Sequence, residues 1–262
     1  MLKVRIISAL IALGILLLVL FVLPPLAAEL AIALVTLAGA WEWSGLLRAP
    51  NRTIRYLFVA VIAGLLAALQ VYGDGIILPL LLGAAIWWVA ALLWVFLYPT
   101  AVPRFVGWLA GVCVLLPLFV ALRELYTIGP ETLLFVLLVV WAADVGAYFA
   151  GKQFGRVKLA PSISPGKTWE GVVGGLLTVS LIAVAGALWF EAPILAIVPF
   201  CIAVACLSIV GDLTVSIFKR TAGVKDSGKL FPGHGGILDR VDSVSAAAPL
   251  FALGLAWTGL FA

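Results

Sequence analysis

Apolar runs of roughly 20 residues recur from one end of the chain to the other, each long enough to cross a ~30 Å hydrocarbon core. Lipid offers no partner to a backbone N–H or C=O, so each run must satisfy its own backbone, and a helix does so. The sequence therefore predicts an all-α, polytopic membrane protein with about nine transmembrane helices. The spans fall at about 5–23, 27–47, 55–72, 76–98, 105–122, 131–150, 171–190, 194–216 and 243–261. Charge content agrees: 11% of residues are charged, against about 25% in a soluble domain. Lys3 and Arg5 before the first run resemble a secretory signal. That run outlasts a typical signal core, and Pro24-Pro25 offers no small-residue cleavage site, so it is read as a retained span. Cys113, Cys201 and Cys206 lie in apolar runs without metal-ligand spacing and read as packing residues.

With nine alternating spans and a cytoplasmic N-terminus, every Lys and Arg except Arg123 falls on the cytoplasmic side. Such a bias sets orientation. It predicts a multi-pass protein of the cell's inner membrane whose two long connectors, 151–170 and 217–242, face the cytoplasm. Glu29, Asp74, Glu124, Glu131 and Glu191 fall opposite and read as solvated loop charges. Trp41, Trp43, Trp94, Trp108 and Trp189 stand near span ends and read as interfacial anchors. Residues 1–104 read as membrane scaffold, lipid access or dimer contact, and residues 105–262 as the catalytic region. A net charge of +4 suits anionic headgroups or a polyanionic substrate. Nucleic acid is not expected, because no soluble domain could carry a binding face.

The chemistry gathers at the two connectors. Asp212, Ser216 and Lys219 stand at i, i+4 and i+7 on one helical face, with Asp212 about a turn inside the membrane, where an acid marks function. The loop that follows mixes Lys219, Arg220, Lys225 and Lys229, suited to phosphate oxygens, with Gly223, Gly228, Gly233, Gly235 and Gly236. His234 is the chain's one histidine, and no second His or Cys stands nearby to make a zinc site. Asp239 and Asp242, three apart, can face one point at the start of the ninth span. Oxygen-only ligands from separate spans suit Mg²⁺ together with substrate phosphates. At the other connector Asp144, Tyr148 and Lys152 share a face. Gly166-Lys167-Thr168 imitates the end of a phosphate-binding loop, but Pro161 replaces the motif's first glycine and no strand is expected before it. Gly171 and Gly175 form a small-xxx-small packing pair.

Together these residues resemble the phosphatidate cytidylyltransferase (CDP-diacylglycerol synthase) family. The signature runs Ser216-x-x-Lys219-Arg220, Lys225-Asp226, Pro232-x-His234-Gly235-Gly236 and Asp239-Arg240-x-Asp242. It extends upstream through Gly211-Asp212-Leu213, Ser164-Pro165-Gly166-Lys167-Thr168 and Asp144-x-Gly146-Ala147-Tyr148, and more weakly to Trp41-Glu42-Trp43. The resemblance implies transfer of CMP from CTP to phosphatidic acid, giving CDP-diacylglycerol and pyrophosphate. It also implies dependence on Mg²⁺, with room for a second cation, and a homodimer. Asp212, Asp239, Lys167, Lys219 and Arg220 would form the catalytic set. Asp212 and Asp239 would hold the metal, with Asp144 and Asp242 as further candidates. Lys167, Lys219, Arg220 and Lys225 would meet the triphosphate or the lipid phosphate. Ser216, Asp226, Arg240, Tyr148 and Ser164 would contact substrate, and His234, Gly235 and Gly236 would shape the loop.

Rival classes fit less well. A transporter would place its acids near the bilayer midplane on broken, internally repeated helices, whereas these acids sit near cytoplasmic span ends. A CTP-dependent polyprenol kinase is a rival within nucleotide–lipid chemistry. A CDP-alcohol phosphotransferase needs an Asp-Gly-x-x-Ala-Arg start, and the chain's Asp74-Gly75 runs into Ile76-Ile77-Leu78-Pro79.

Overall fold

A computed structural model of the protein describes residues 2–47, 49, 51–228 and 235–260. Arg48, Lys229, Gly233 and His234 lie outside these, as do the side chains of Lys3, Arg5 and Asp74. Each predicted span is a helix. These are α1 (Leu2–Phe21), α2 (Pro25–Leu46), α3 (Arg52–Tyr72), α4 (Ile77–Leu97), α5 (Arg104–Ile128), α6 (Pro130–Phe154), α7 (Trp169–Trp189), α8 (Ile194–Thr221) and α9 (Leu238–Thr258). Among the described residues eight helices are long and apolar enough to span a membrane, and α1 contributes the apolar stretch Ile7–Phe21. Apolar side chains such as Ile7, Leu10, Phe96, Leu181 and Leu195 point outward, as a lipid-facing surface requires.

The helices near the connectors run further than the hydropathy implies. α6 continues to Phe154, α8 to Thr221, and α9 begins at Leu238. The polar residues at these ends are therefore helical and held at fixed angular positions.

The first connector contains an antiparallel hairpin, β1 (Lys158–Ala160) with β2 (Ser164–Thr168), pairing Lys158 with Thr168 and Ala160 with Ser164. This corrects the expectation that no strand precedes Gly166-Lys167-Thr168. The motif still builds no phosphate-binding loop, because Gly166, Lys167 and Thr168 are themselves extended within β2. Thr168 then caps α7, its Oγ1 accepting from the Gly171 amide at 3.1 Å.

α5, α8 and α9 form the most enclosed part of the bundle, and α2 and α4 pack onto them. One buried core runs through both halves of the chain. Trp43 belongs to it, which corrects its reading as an interfacial anchor: it is fully buried, donates from Nε1 to the Gly107 carbonyl at 2.9 Å and packs its ring at a tilt against Phe218. Trp189 is exposed, as an anchor would be. The three cysteines are free, with Cys201 buried.

α6 and α7 meet along small residues, as the Gly171/Gly175 spacing predicts. A Cβ at Gly175 would lie 2.7 Å from the Ala143 carbonyl oxygen, and one at Gly171 would lie 2.9 Å from that of Ala147. Backbone oxygens in a helix cannot step aside, so these glycines set the helix separation. Gly175→Val is expected to destabilise the protein by about 1–3 kcal/mol through overpacking. A lowered thermal unfolding midpoint in detergent would show it.

Candidate active site

Four elements converge at one end of the bundle: the hairpin, the end of α8, the start of α9 and the outer part of α6. α8 and α9 approach closely at Gly211, where a Cβ would stand 2.6 Å from the Asp242 carbonyl oxygen. That contact brings the next residue, Asp212, beside α9.

Asp212 is held from two sides. Ser216, one turn on, donates from Oγ to Asp212 Oδ1 at 3.2 Å, and the Lys167 ammonium of β2 stands 2.5 Å from Oδ2. The side chains of both ion-pair partners keep about a quarter of their surface open. Asp212 and Ser216 thus share the face their spacing predicts.

Lys219 projects from the same helix into a closed environment. Its Nζ donates to Asp239 Oδ1 at 2.9 Å and to Asp242 Oδ2 at 3.3 Å. All three side chains are nearly buried. Asp239 and Asp242 therefore do face one point, and a lysine stands there. Asp239 is further engaged: its Oδ2 accepts the backbone amides of Ser227 at 2.8 Å and Gly236 at 2.9 Å. Gly235 permits this turn, with φ +83 and no room for a Cβ beside Asp239 Oδ2.

Asp144 lies on α6 within electrostatic reach of Lys167, Asp212 and Arg240, with the Ser243 side chain beside it. Asp242 in turn feels both Asp212 and Asp144. Lys152 stands over the Tyr148 ring at 5.9 Å, as their shared face predicts. Arg220 ties the hairpin down, its Nε donating to the Ile163 carbonyl at 3.0 Å. Ile163 is buried against Leu213 and Ile217, which seats the hairpin tip on α8. Lys225, Asp226 and Arg240 are exposed around the cluster.

A cavity of about 390 Å³ opens between the hairpin, α6, α7 and α8. Asp144, Tyr148, Ser164, Lys167 and Thr168 line its polar end, and Ala143, Ala147, Leu176, Ala205 and Ile209 its apolar walls. Among the described residues no three His, Cys, Asp or Glu side chains form a ready-made metal cage.

The sequence reading names Glu42 only within the weaker match Trp41-Glu42-Trp43 and gives it no role. Its buried carboxylate reaches from α2 into the second connector, taking hydrogen bonds from Ser227 Oγ at 2.8 Å and from the amides of Ile237 at 3.0 Å and Leu238 at 2.8 Å. An acid inside an apolar span, the criterion that marks Asp212, is the signal that would have found it.

The profile of the cytidylyltransferase family matches residues 3–257. The phosphatidate cytidylyltransferase of Haemophilus influenzae is 39% identical over 281 residues, covering 96% of this chain and 97% of its own. That of Pseudomonas aeruginosa is 42% identical over 284 residues, covering 98% and 97%. The phosphatidate cytidylyltransferase of Staphylococcus saprophyticus matches a shorter stretch, 43% identical over 134 residues, or 50% of this chain and 52% of its own.

Proposed function

This chain belongs to the cytidylyltransferase family, and on that premise we propose that it is a phosphatidate cytidylyltransferase, transferring CMP from CTP to phosphatidic acid at the cytoplasmic face of the inner membrane. The observation that carries the reading is the cavity: charged groups at one end, apolar helix walls at the other, opening beside a cluster of acids and lysines. Such a site suits a lipid whose phosphate must meet a polyphosphate from water.

In the proposed reaction an oxygen of the phosphatidate monoester attacks the α-phosphorus of CTP in line. A new P–O bond forms, the bond from the α-phosphorus to the bridging oxygen breaks, and pyrophosphate leaves with that electron pair. The nucleophile is largely dianionic at neutral pH, its second pKa being about 6, so no general base is needed. The residues' work is positioning and charge neutralisation. Lys167, partly open at the cavity's polar end, is placed to hold the lipid phosphate. Arg220, Lys225 and Arg240 lie toward the exposed rim, where a triphosphate would arrive. Lys219 is committed to Asp239 and Asp242 and acts by fixing α8 against α9.

The donor set fits Mg²⁺. Four carboxylates, Asp144, Asp212, Asp239 and Asp242, gather where both substrates are anions. A divalent cation resolves that conflict, and Mg²⁺ needs only one or two carboxylates when phosphates complete its shell. Asp144, which lines the cavity, and Asp212, paired with the lining residue Lys167, would hold it, with Asp242 as a further candidate. Both oxygens of Asp239 are taken up by Lys219 and the loop amides. When bound, the ion would neutralise charge on the phosphate oxygens. A homodimer and a place for a second cation belong to the same reading.

The direct test incubates purified protein with α-labelled CTP, Mg²⁺ and phosphatidic acid in detergent micelles. Label in lipid with stoichiometric pyrophosphate is the expected result. No lipid-dependent pyrophosphate, or label transferred instead to a polyprenol, would overturn the reading.

A further inference from the structure

We propose that Glu42 is a positioning residue of the active site, capping α9 from α2 and holding the second connector in register with Lys219. The kinetic part of this proposal rests on the cytidylyltransferase reading; the structural part does not.

A helix begins with amides that lack intrahelical partners, and a carboxylate near them is stabilising. α9 has no cap of its own: Ile237 stands at the cap position and offers no side-chain hydrogen bond. Glu42 supplies the cap from almost 200 residues away in sequence, its two oxygens taking the amides of Ile237 and Leu238. The loop backbone is built around that carboxylate. A Cβ at Gly228 or Gly236 would collide with it, so both positions allow the close approach only as glycine.

The consequence reaches the charged cluster in two steps. Ser227 bonds Glu42 through its hydroxyl and Asp239 through its amide. Gly236 bonds Asp239, and its neighbours Ile237 and Leu238 bond Glu42. Two carboxylates therefore staple both ends of the loop segment, and the second of them, Asp239, receives Lys219 on its other oxygen. Glu42 itself is fixed. Trp43 is locked between Gly107 and Phe218, and Arg55 lies 3.9 Å over the Trp41 ring while donating to the Trp41 carbonyl at 2.9 Å. α2 thus sets where Asp239 and Lys219 meet, which gives one N-terminal helix a role in the chemistry beyond scaffold.

The test is Glu42→Gln in the full-length protein, an isostere that keeps one acceptor oxygen and turns an N–H₂ toward donors. Amide hydrogen exchange is expected to rise about tenfold at residues 223–228 and 235–240, the scale of a lost helix cap, with α5 and α6 unchanged. For CDP-diacylglycerol formation, kcat is expected to fall about tenfold while KM for CTP and for phosphatidic acid stays within about twofold, the pattern of misplaced machinery rather than lost binding. Ser227→Ala, which removes one of the three bonds, should show the same pattern at roughly threefold and serves if Glu42→Gln does not fold. Unchanged exchange in the connector would overturn the proposal. So would exchange rising evenly over all helices, or KM rising while kcat holds. If the wild-type protein makes no CDP-diacylglycerol but the exchange pattern appears, the latch stands and the assigned reaction falls.

Discussion

Asp212→Asn is expected to lower turnover by about 10²–10³-fold, the scale on which removing one preorganised electrostatic contact acts, while the protein stays folded. The fold should survive because asparagine retains an oxygen to accept the Ser216 hydroxyl and fills the same volume. Lys167, left without its partner, is a quarter exposed and can turn to water, so the stability loss should stay within about 1 kcal/mol. The activity loss has two separable sources. Asp212 holds Lys167 at the cavity's polar end, and it is one of the two carboxylates best placed for Mg²⁺. Lys167→Met removes the first role and leaves the second. Raising Mg²⁺ should partly restore Asp212→Asn if the ion's affinity has fallen, and should leave Lys167→Met unmoved. An Asp212→Asn enzyme within twofold of wild type would remove this residue from the reacting centre.

The nine spans were legible because each apolar run has the length a membrane-spanning helix needs, about twice that of a spanning strand, and a helix satisfies its own backbone in lipid. The helix ends were not. Hydropathy stops a span where charges begin, yet α8 runs through Lys219 and Arg220 and α9 starts just before Asp239. Lys219 is neutralised by Asp239 and Asp242 across the helix pair, so these charges carry little of the cost that a hydropathy reading assigns them. The shared faces of Asp212 with Ser216 and of Asp239 with Asp242 followed from helical spacing alone. What spacing could not give was the partner on each face. Lys167 reaches Asp212 from a hairpin that prolines at 161 and 165 argue against, and that hairpin is seated by Ile163 and Arg220 rather than by its own strand propensity. Trp43 was misread because its Nε1 finds a carbonyl on α5, a contact no single-span rule contains. Glu42 bonds mainly backbone amides, which leave no trace in side-chain pattern.

Lys219→Met carries the other large effect, and here stability and activity should both suffer. Lys219 is the cation between Asp239 and Asp242, all three nearly buried, and removing it leaves two like charges facing each other out of water. Breaking a buried ion pair from one side costs about 3–5 kcal/mol. That is a large part of the margin of a folded domain, and the thermal midpoint in detergent should fall accordingly. Adding Asp242→Asn to Lys219→Met removes one of the stranded charges, so the double variant should be more stable than the single one. Such coupling between contacting residues is what a double-mutant cycle reads. Activity should not return with stability, because α8 and α9 would no longer be pinned at the ion pair that orients Asp239, the loop bound to it and the nearby Asp212. Recovery of both together would mean that Lys219 matters only for folding. Recovery of neither would mean that the buried charge of Asp242 is tolerated without its lysine.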